Sequence, residues 1–310
     1  MEKIRYKHLN THLKDMFGER TLKICIDGGF TCPNRDGKIS FGGCLFCGEM
    51  GAGENIKYRT DKVLESIQSQ VLGFLNSYRG ERANKFIAYF QSFSNTYGDI
   101  DSLKKKYDTA LACSEKIVGL QVSTRPDCID EDVVKLLASY KGKYYVCVEL
   151  GLQTSNDKIG KFLNRGYTKA DFEKATTLLH RYGIDVVSHL MIGLPNETEQ
   201  DVLETVGLIN RLKCEGIKIH STYVIAGSGL GEMYKTGKYT PITQEYYVDM
   251  VAKVISRLDK DIVIHRINAD PPKCLFLAPD WILHKKLVLN AINRKLDEDD
   301  IIQGQYCNAS

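Results

Sequence analysis

Residues 25–48 read Cys25-Ile-Asp-Gly-Gly-Phe-Thr-Cys32-Pro-Asn-Arg-Asp-Gly-Lys-Ile-Ser-Phe-Gly-Gly-Cys44-Leu-Phe-Cys47-Gly48, directly after an apolar, β-rich run at Leu22–Ile26. Three cysteines, spaced eleven and then two residues apart, lie among glycines in a loop that leaves a strand. Thiolates in such a loop suit a soft metal centre. A structural zinc site wants four ligands and is usually built from paired knuckles. Here one C-x-x-C is present, and a fourth ligand has to come from Cys25 or a distant histidine. An iron–sulfur cluster is also held by thiolates, and one held by only three leaves an iron open to a further ligand. Cys25 alternates with Ile24 and Ile26 inside the strand, so a packed core thiol is the expectation for it.

Working outward, the same strand signal recurs at Phe86–Phe90, Gly119–Ser123, Tyr145–Leu150, Val186–Ile192 and Ile217–Ile225. Near-continuous apolar runs suit parallel strands buried on both faces. Amphipathic helices are predicted at Asp61–Tyr78, Asp130–Tyr140, Thr168–Tyr182, Thr198–Lys213 and Gln244–Leu258. Two of them open on capping-box patterns, Thr168 with Asp171 and Thr198 with Asp201. Alternating strands and helices mean right-handed βαβ units and a parallel sheet. The expected fold is α/β, a partial (βα)6 barrel over residues 20–258. An N-terminal extension (1–19) and a C-terminal extension (259–310) flank it, the latter with a possible strand at Ile262–Ile267 and a helix near Trp281–Leu296. Chemistry then belongs at the carboxyl ends of the strands.

The bulk numbers agree with a folded globular chain. The 310 residues are 43% hydrophobic and 26% charged, which argues against disorder and against a coiled coil. No apolar stretch is long enough to span a bilayer, and MEKIRYKHLN lacks the apolar core of a signal peptide. The expectation is therefore a cytoplasmic protein whose ten cysteines are reduced. The 42 basic and 39 acidic side chains leave a charge of +3, which permits a nucleic-acid partner without arguing for one.

Several strand-end motifs carry candidate site residues. Gln91 and Asn95 follow the second strand, in Gln91-Ser-Phe-Ser-Asn95. Ser123-Thr-Arg125-Pro-Asp127 ends the third, and Arg125 can clamp a carboxylate bidentately or simply pair with Asp127. Glu149-Leu-Gly-Leu-Gln153 ends the fourth, followed by Arg165. His189-Leu-Met-Ile-Gly193-Leu-Pro-Asn-Glu197 ends the fifth, and there Glu197 can act as a favourable charge at a helix N-terminus. Arg266 and Asp270 stand in the tail, where Trp281 reads as a packing anchor.

The cysteine loop resembles the cluster-binding loop of the radical S-adenosylmethionine (SAM) enzymes, in a long-spaced variant similar to the elongator-catalytic-subunit-like branch. Gly28–Gly37, followed by Gly42-Gly-Cys-Leu-Phe-Cys47, resembles most closely the YtqA/YhcC-like radical SAM family, as do His265-Arg-Ile-Asn-Ala-Asp-Pro-Pro and Ala278-Pro-Asp-Trp281. The resemblance implies a [4Fe–4S] cluster on Cys32, Cys44 and Cys47, with SAM on the open iron. It implies SAM contacts from Phe46, Gln91, Ser123, Arg125, Glu149 (to the amino group), Gln153 (near the ribose), His189 and Gly193. Asn95, Arg165, Arg266 and Asp270 remain candidates for substrate or catalysis. Asn196 stands where that family's turn usually has glycine. The implied partners are an electron donor of flavodoxin or ferredoxin type and tRNA, with no membrane and no DNA. The implied reaction is wobble-uridine maturation, from carboxymethylaminomethyl- to aminomethyl-uridine. The alternatives are a radical SAM enzyme for a small metabolite or a peptide, and a zinc-stabilised, non-enzymatic binding protein.

Overall fold

The computed structural model describes residues 4–48, 51 and 62–307. Its frame is one parallel sheet of seven strands: β1 (Thr21–Ile26), β2 (Lys85–Phe90), β3 (Ile117–Thr124), β4 (Tyr145–Gln153), β5 (Asp185–Ile192), β6 (Gly216–Ser221) and, last in space, β8 (Val263–Arg266). Between the last two in sequence, β7 (Val224–Ile225) pairs antiparallel with β9 (Phe276–Ala278). The tail strand expected at Ile262–Ile267 is thus the seventh strand of the sheet. The run expected at Ile217–Ile225 is divided, its end leaving the sheet to form β7.

Helices α1 (Leu9–Phe17), α2 (Val63–Leu75), α3 (Ile100–Leu111), α4 (Glu131–Ser139), α5 (Asp157–Phe162), α6 (Lys169–Arg181), α7 (Glu199–Arg211), α8 (Gly229–Lys235), α9 (Gln244–Arg257) and α10 (Lys285–Glu298) complete the chain. The helix expected from Asp61 begins at Val63, and Asp61 itself lies outside the described residues. Both capping boxes form: Thr168 and Thr198 each exchange hydrogen bonds with the aspartate three residues on. Helix α3 is not signalled by the sequence reading, because Lys104-Lys105-Lys106 hides its apolar stripe. Leu103, Tyr107, Ala110 and Leu111 are buried on its inner face. Among the described residues no helix is long and apolar enough to cross a membrane.

The two faces of the sheet differ in kind. Alternate residues such as Ile24, Ala88, Leu120, Val148, Val186 and Ile217 point outward into one hydrophobic core beneath the helices. The opposite alternation, which includes Lys23, Cys25, Tyr89, Gln121, Glu149, His189, Lys218 and His220, faces inward. The sheet curls enough for Lys23 on β1 to reach Glu149 on β4 and His265 on β8, each at 3.3 Å. It remains open between β1 and β8. Helix α1 packs against both of these edge strands, and His8 bridges to Ile264. Arg5 adds ion pairs to Asp297 and Asp300 beside this seam.

Candidate functional site

The cysteine loop caps the carboxyl end of the half-barrel. A tight turn closes Cys44 to Cys47, with the Cys47 amide 2.9 Å from the Cys44 carbonyl, and a second turn folds Arg35 and Asp36 onto the Cys32 carbonyl. The loop is tied to the segment after α5. Asn34 donates to the Asn164 carbonyl at 2.6 Å and to Cys44 Sγ at 3.6 Å, and Asn164 returns a bond to the Gly43 carbonyl. Arg35 donates to the Cys47 and Gly48 carbonyls. Gly43, at φ +80°, is required there, because a Cβ would meet the Arg35 guanidinium at 2.8 Å.

Cys32, Cys44 and Cys47 line one cavity with Phe46, Gln91, Ser123, Arg125, Gln153, His189 and Arg266. A hydrogen bond from the Cys47 thiol is the main influence pulling the Cys44 thiol down to about 7, with Arg125 and Asn34 adding to it. The same interaction pushes Cys47 up. Among the described residues no three His, Cys, Asp or Glu side chains converge tightly enough to hold a single ion. A zinc knuckle needs that convergence. A polynuclear cluster takes thiolates on separate irons, and three thiols lining one cavity fit that donor set.

Below this rim lies a buried charge network centred on Glu149. Its carboxylate is fully buried and accepts from Tyr89 (2.5 Å), Gln121 (2.5 Å), Lys218 (2.5 Å) and Lys23 (3.3 Å), and it contacts His189 Nε2 at 2.9 Å. Burial opposes its ionisation, but Lys218, Lys23 and His189 outweigh this and hold its carboxyl well below the usual range. Glu149 is therefore the counter-ion of the lumen, and its oxygens are already engaged rather than open to an ammonium. Burial lowers Lys218 to about 8, and it lowers His189 and His220 as well.

Other expectations need correction. Arg165 is fully buried and cannot meet a substrate: it donates to the Leu152, Thr154 and Tyr167 carbonyls and pairs with Asp157. The Arg125–Asp127 pair forms bidentately, with Arg125 buried and Asp127 at the surface. Arg125 also donates to the Arg165 carbonyl and lies over the Tyr167 ring. Asn95 sits beneath the cavity, holding the Ser123 carbonyl. Gly193 faces a different groove, where its amide donates to Glu197 and its carbonyl accepts from Tyr239. Glu197 therefore holds the turn itself. Asn196 takes the turn's left-handed position at φ +62°, which asparagine tolerates better than most residues. Asp270 lies outside the cavity wall, between Arg266 and Lys285. Cys25 is exposed on the inward face of β1, so it is not a packed core thiol. Trp281 stacks near Tyr247 and donates to the Ile242 carbonyl.

Tyr89, Lys218, His220 and Tyr167 were missed. The signal for Lys218 and His220 was present in β6, where Ile217-Lys218-Ile219-His220 alternates polar and apolar in a strand otherwise read as buried on both faces.

A curled parallel half-barrel capped by a three-thiol loop defines the radical SAM class of proteins. Family comparison agrees: residues 39–209 match the radical SAM superfamily and residues 214–298 match the radical SAM C-terminal domain, so the chain belongs to the radical SAM superfamily. That family works with a [4Fe–4S] cluster and SAM. Among its relatives, the uncharacterized protein YtqA of Bacillus subtilis is 35% identical over 97% of this chain and 92% of its own length. A tRNA uridine(34) acetyltransferase of Methanocaldococcus jannaschii is 32% identical over 56% of this chain and 32% of its own. The solved structure of Methanocaldococcus infernus Elp3, lacking its N-terminus, superposes with a TM-score of 0.66 at 20% identity, over 91% of this chain and 64% of that one.

Proposed function

We propose that Cys32, Cys44 and Cys47 hold the [4Fe–4S] cluster and that the chain is a radical SAM enzyme abstracting hydrogen from a tRNA wobble-uridine side chain. The step proposed is conversion of carboxymethylaminomethyl- to aminomethyl-uridine. SAM is the oxidant, and hydrogen is taken from the carbon between the amine and the carboxylate. The substrate radical returns one electron to leave an iminium, and water splits this to the aminomethyl-uridine and glyoxylate. The observation that carries the radical part is a single cavity running from the three thiols down to the polar lumen. The tRNA part is supported by the likeness to the tRNA uridine(34) acetyltransferase.

When bound, the cluster supplies the electron that splits SAM into methionine and a 5′-deoxyadenosyl radical. The chain's own contribution is placement. Asn34 and Arg35 fix the thiol-bearing turns. Phe46, Gln91, Ser123 and Gln153 line the space beside them for SAM. Gln153, at φ +60° and held by Tyr167 at 2.8 Å, is locked in a left-handed conformation that few side chains adopt without support. An electron donor of flavodoxin or ferredoxin type delivers the electron from outside.

The test is anaerobic reconstitution with iron and sulfide, reduction in the presence of SAM, and chromatography for 5′-deoxyadenosine. Its formation supports the radical reading, and its stimulation by undermodified tRNA supports the substrate. A reconstituted cluster that yields none with or without tRNA overturns the proposal.

A further inference from the structure

The inner face of the half-barrel carries an imbalance of charge. Two lysines, Lys23 and Lys218, share one carboxylate, Glu149, and no other carboxylate among the described residues bonds to either. His189, His220 and His265 all have depressed basicity through burial, so the histidines add no charge near neutral pH. Arg266 shares Asp270, outside the cavity wall, with Lys285. The lumen floor thus carries more positive than negative charge, in a place where an unbalanced charge is costly.

The donors are also arranged for a ligand. Lys218 has three N–H groups. Two go to Glu149 and Tyr89, and the residue lines the cavity. His220, two residues along the same strand, lines it too, and its buried Nε2 has no hydrogen-bond partner. Alternate residues of a strand lie on one face about 6.6 Å apart. A buried, unpaired ring nitrogen on the same strand face as an ammonium with one N–H to spare is an anion-binding pair. Two donors match the two oxygens of a carboxylate and leave the third oxygen of a phosphate unbonded.

We infer that Lys218 and His220 form a subsite for a carboxylate on the substrate, seated on the lumen floor beneath the cluster loop. The inference rests on the proposed function, because the substrate side chain named there ends in a carboxylate. Lys218 supplies the charge and His220, in its Nε2–H tautomer, the second hydrogen bond. Glu149 and Tyr89 hold the ammonium in place.

The test uses reconstituted holoenzyme labelled with nitrogen-15 histidine, titrated with acetate and, separately, with inorganic phosphate at constant ionic strength. The His220 ring signal is assigned by its loss in His220→Phe. Acetate is expected to shift that signal saturably, with phosphate at least tenfold weaker. Lys218→Met is expected to weaken acetate at least tenfold, with Lys218→Gln, which keeps the His220 signal, as a second variant should Lys218→Met not fold. No saturable shift with acetate, or tighter binding of phosphate, overturns the subsite. A parallel titration sets 5-carboxymethylaminomethyluridine against 5-aminomethyluridine as competitors of acetate. Displacement by the first alone joins the subsite to the proposed substrate. Displacement by neither leaves the carboxylate subsite standing and removes the wobble-uridine substrate. Wild-type holoenzyme that binds acetate yet forms no 5′-deoxyadenosine removes the proposed function and keeps the subsite.

Discussion

At the scale of single residues, the cysteines and the buried carboxylate differ in how they can be read. The thiol spacing is a property of the sequence and needs no tertiary contact to be recognised. Cys44→Ala is therefore expected to abolish iron and sulfide incorporation, and Cys25→Ala to retain it, as measured on anaerobically reconstituted protein. Glu149 was singled out too, but its partners come from five separate strands, and no local pattern announces them. Glu149→Gln leaves Lys23 and Lys218 without their counter-ion and is expected to cost about 3–5 kcal/mol in urea unfolding. Adding Lys218→Met should recover part of that loss in a double-mutant cycle. Glu197 makes a second electrostatic prediction. Burial raises its pKa from the usual carboxylate value to about 8, against the two amides that bond its Oε2. The folded form then binds the proton more tightly than the unfolded chain. This contribution to stability is complete below about pH 4.5 and is lost as pH rises through 8. Glu197→Gln removes that dependence, so its urea midpoint should gain on the wild type between those values. A constant difference across this range would refute the shifted pKa.

At the scale of elements, local signals fared well wherever the chemistry was local. The capping boxes at Thr168 and Thr198 were legible because donor and acceptor are three residues apart. Thr198→Ala is expected to cost about 1 kcal/mol, and a loss under a few tenths by thermal unfolding would show that the Asp201 bonds are dispensable. Helix α3 was illegible because its solvent face is lysine-rich, and its buried stripe only stands out once β2 and β3 are placed. The split of β6 from β7 was hidden for a similar reason. The apolar residues run on from Ile217 and Ile219 to Val224 and Ile225, and the chain leaves the sheet where these last two pair with β9. Inward-facing Lys218 and His220 were readable as alternation, had the strand been taken as buried on one face and polar on the other.

At the scale of the whole molecule, strand–helix alternation was enough to indicate a parallel half-barrel. What it could not indicate is how the open side is handled. Edge strands with unpaired backbone invite foreign pairing. Here α1 covers both edges, and Gln303 fixes the seam, accepting from the Lys7 amide at 2.8 Å and donating to the Asp259 and Ile262 carbonyls. Gln303→Ala should cost about 2 kcal/mol. Amide exchange should then quicken first in β8 and β1, leaving the central β3 and β4 protected. Uniform acceleration would mean that the seam does not open independently.

The bond from Lys23 to His265 joins positions 242 residues apart in sequence. Such a contact is among the most entropically remote the chain makes, so it forms late on any folding route that builds neighbours first. Until then the floor that Lys23 and Lys218 share has only one side wall. During synthesis the thiol loop emerges long before the last strand of the sheet. The cysteines are thus displayed to solvent for most of the time the ribosome needs to finish the sheet, and that interval is when delivery of iron and sulfide meets the least steric resistance.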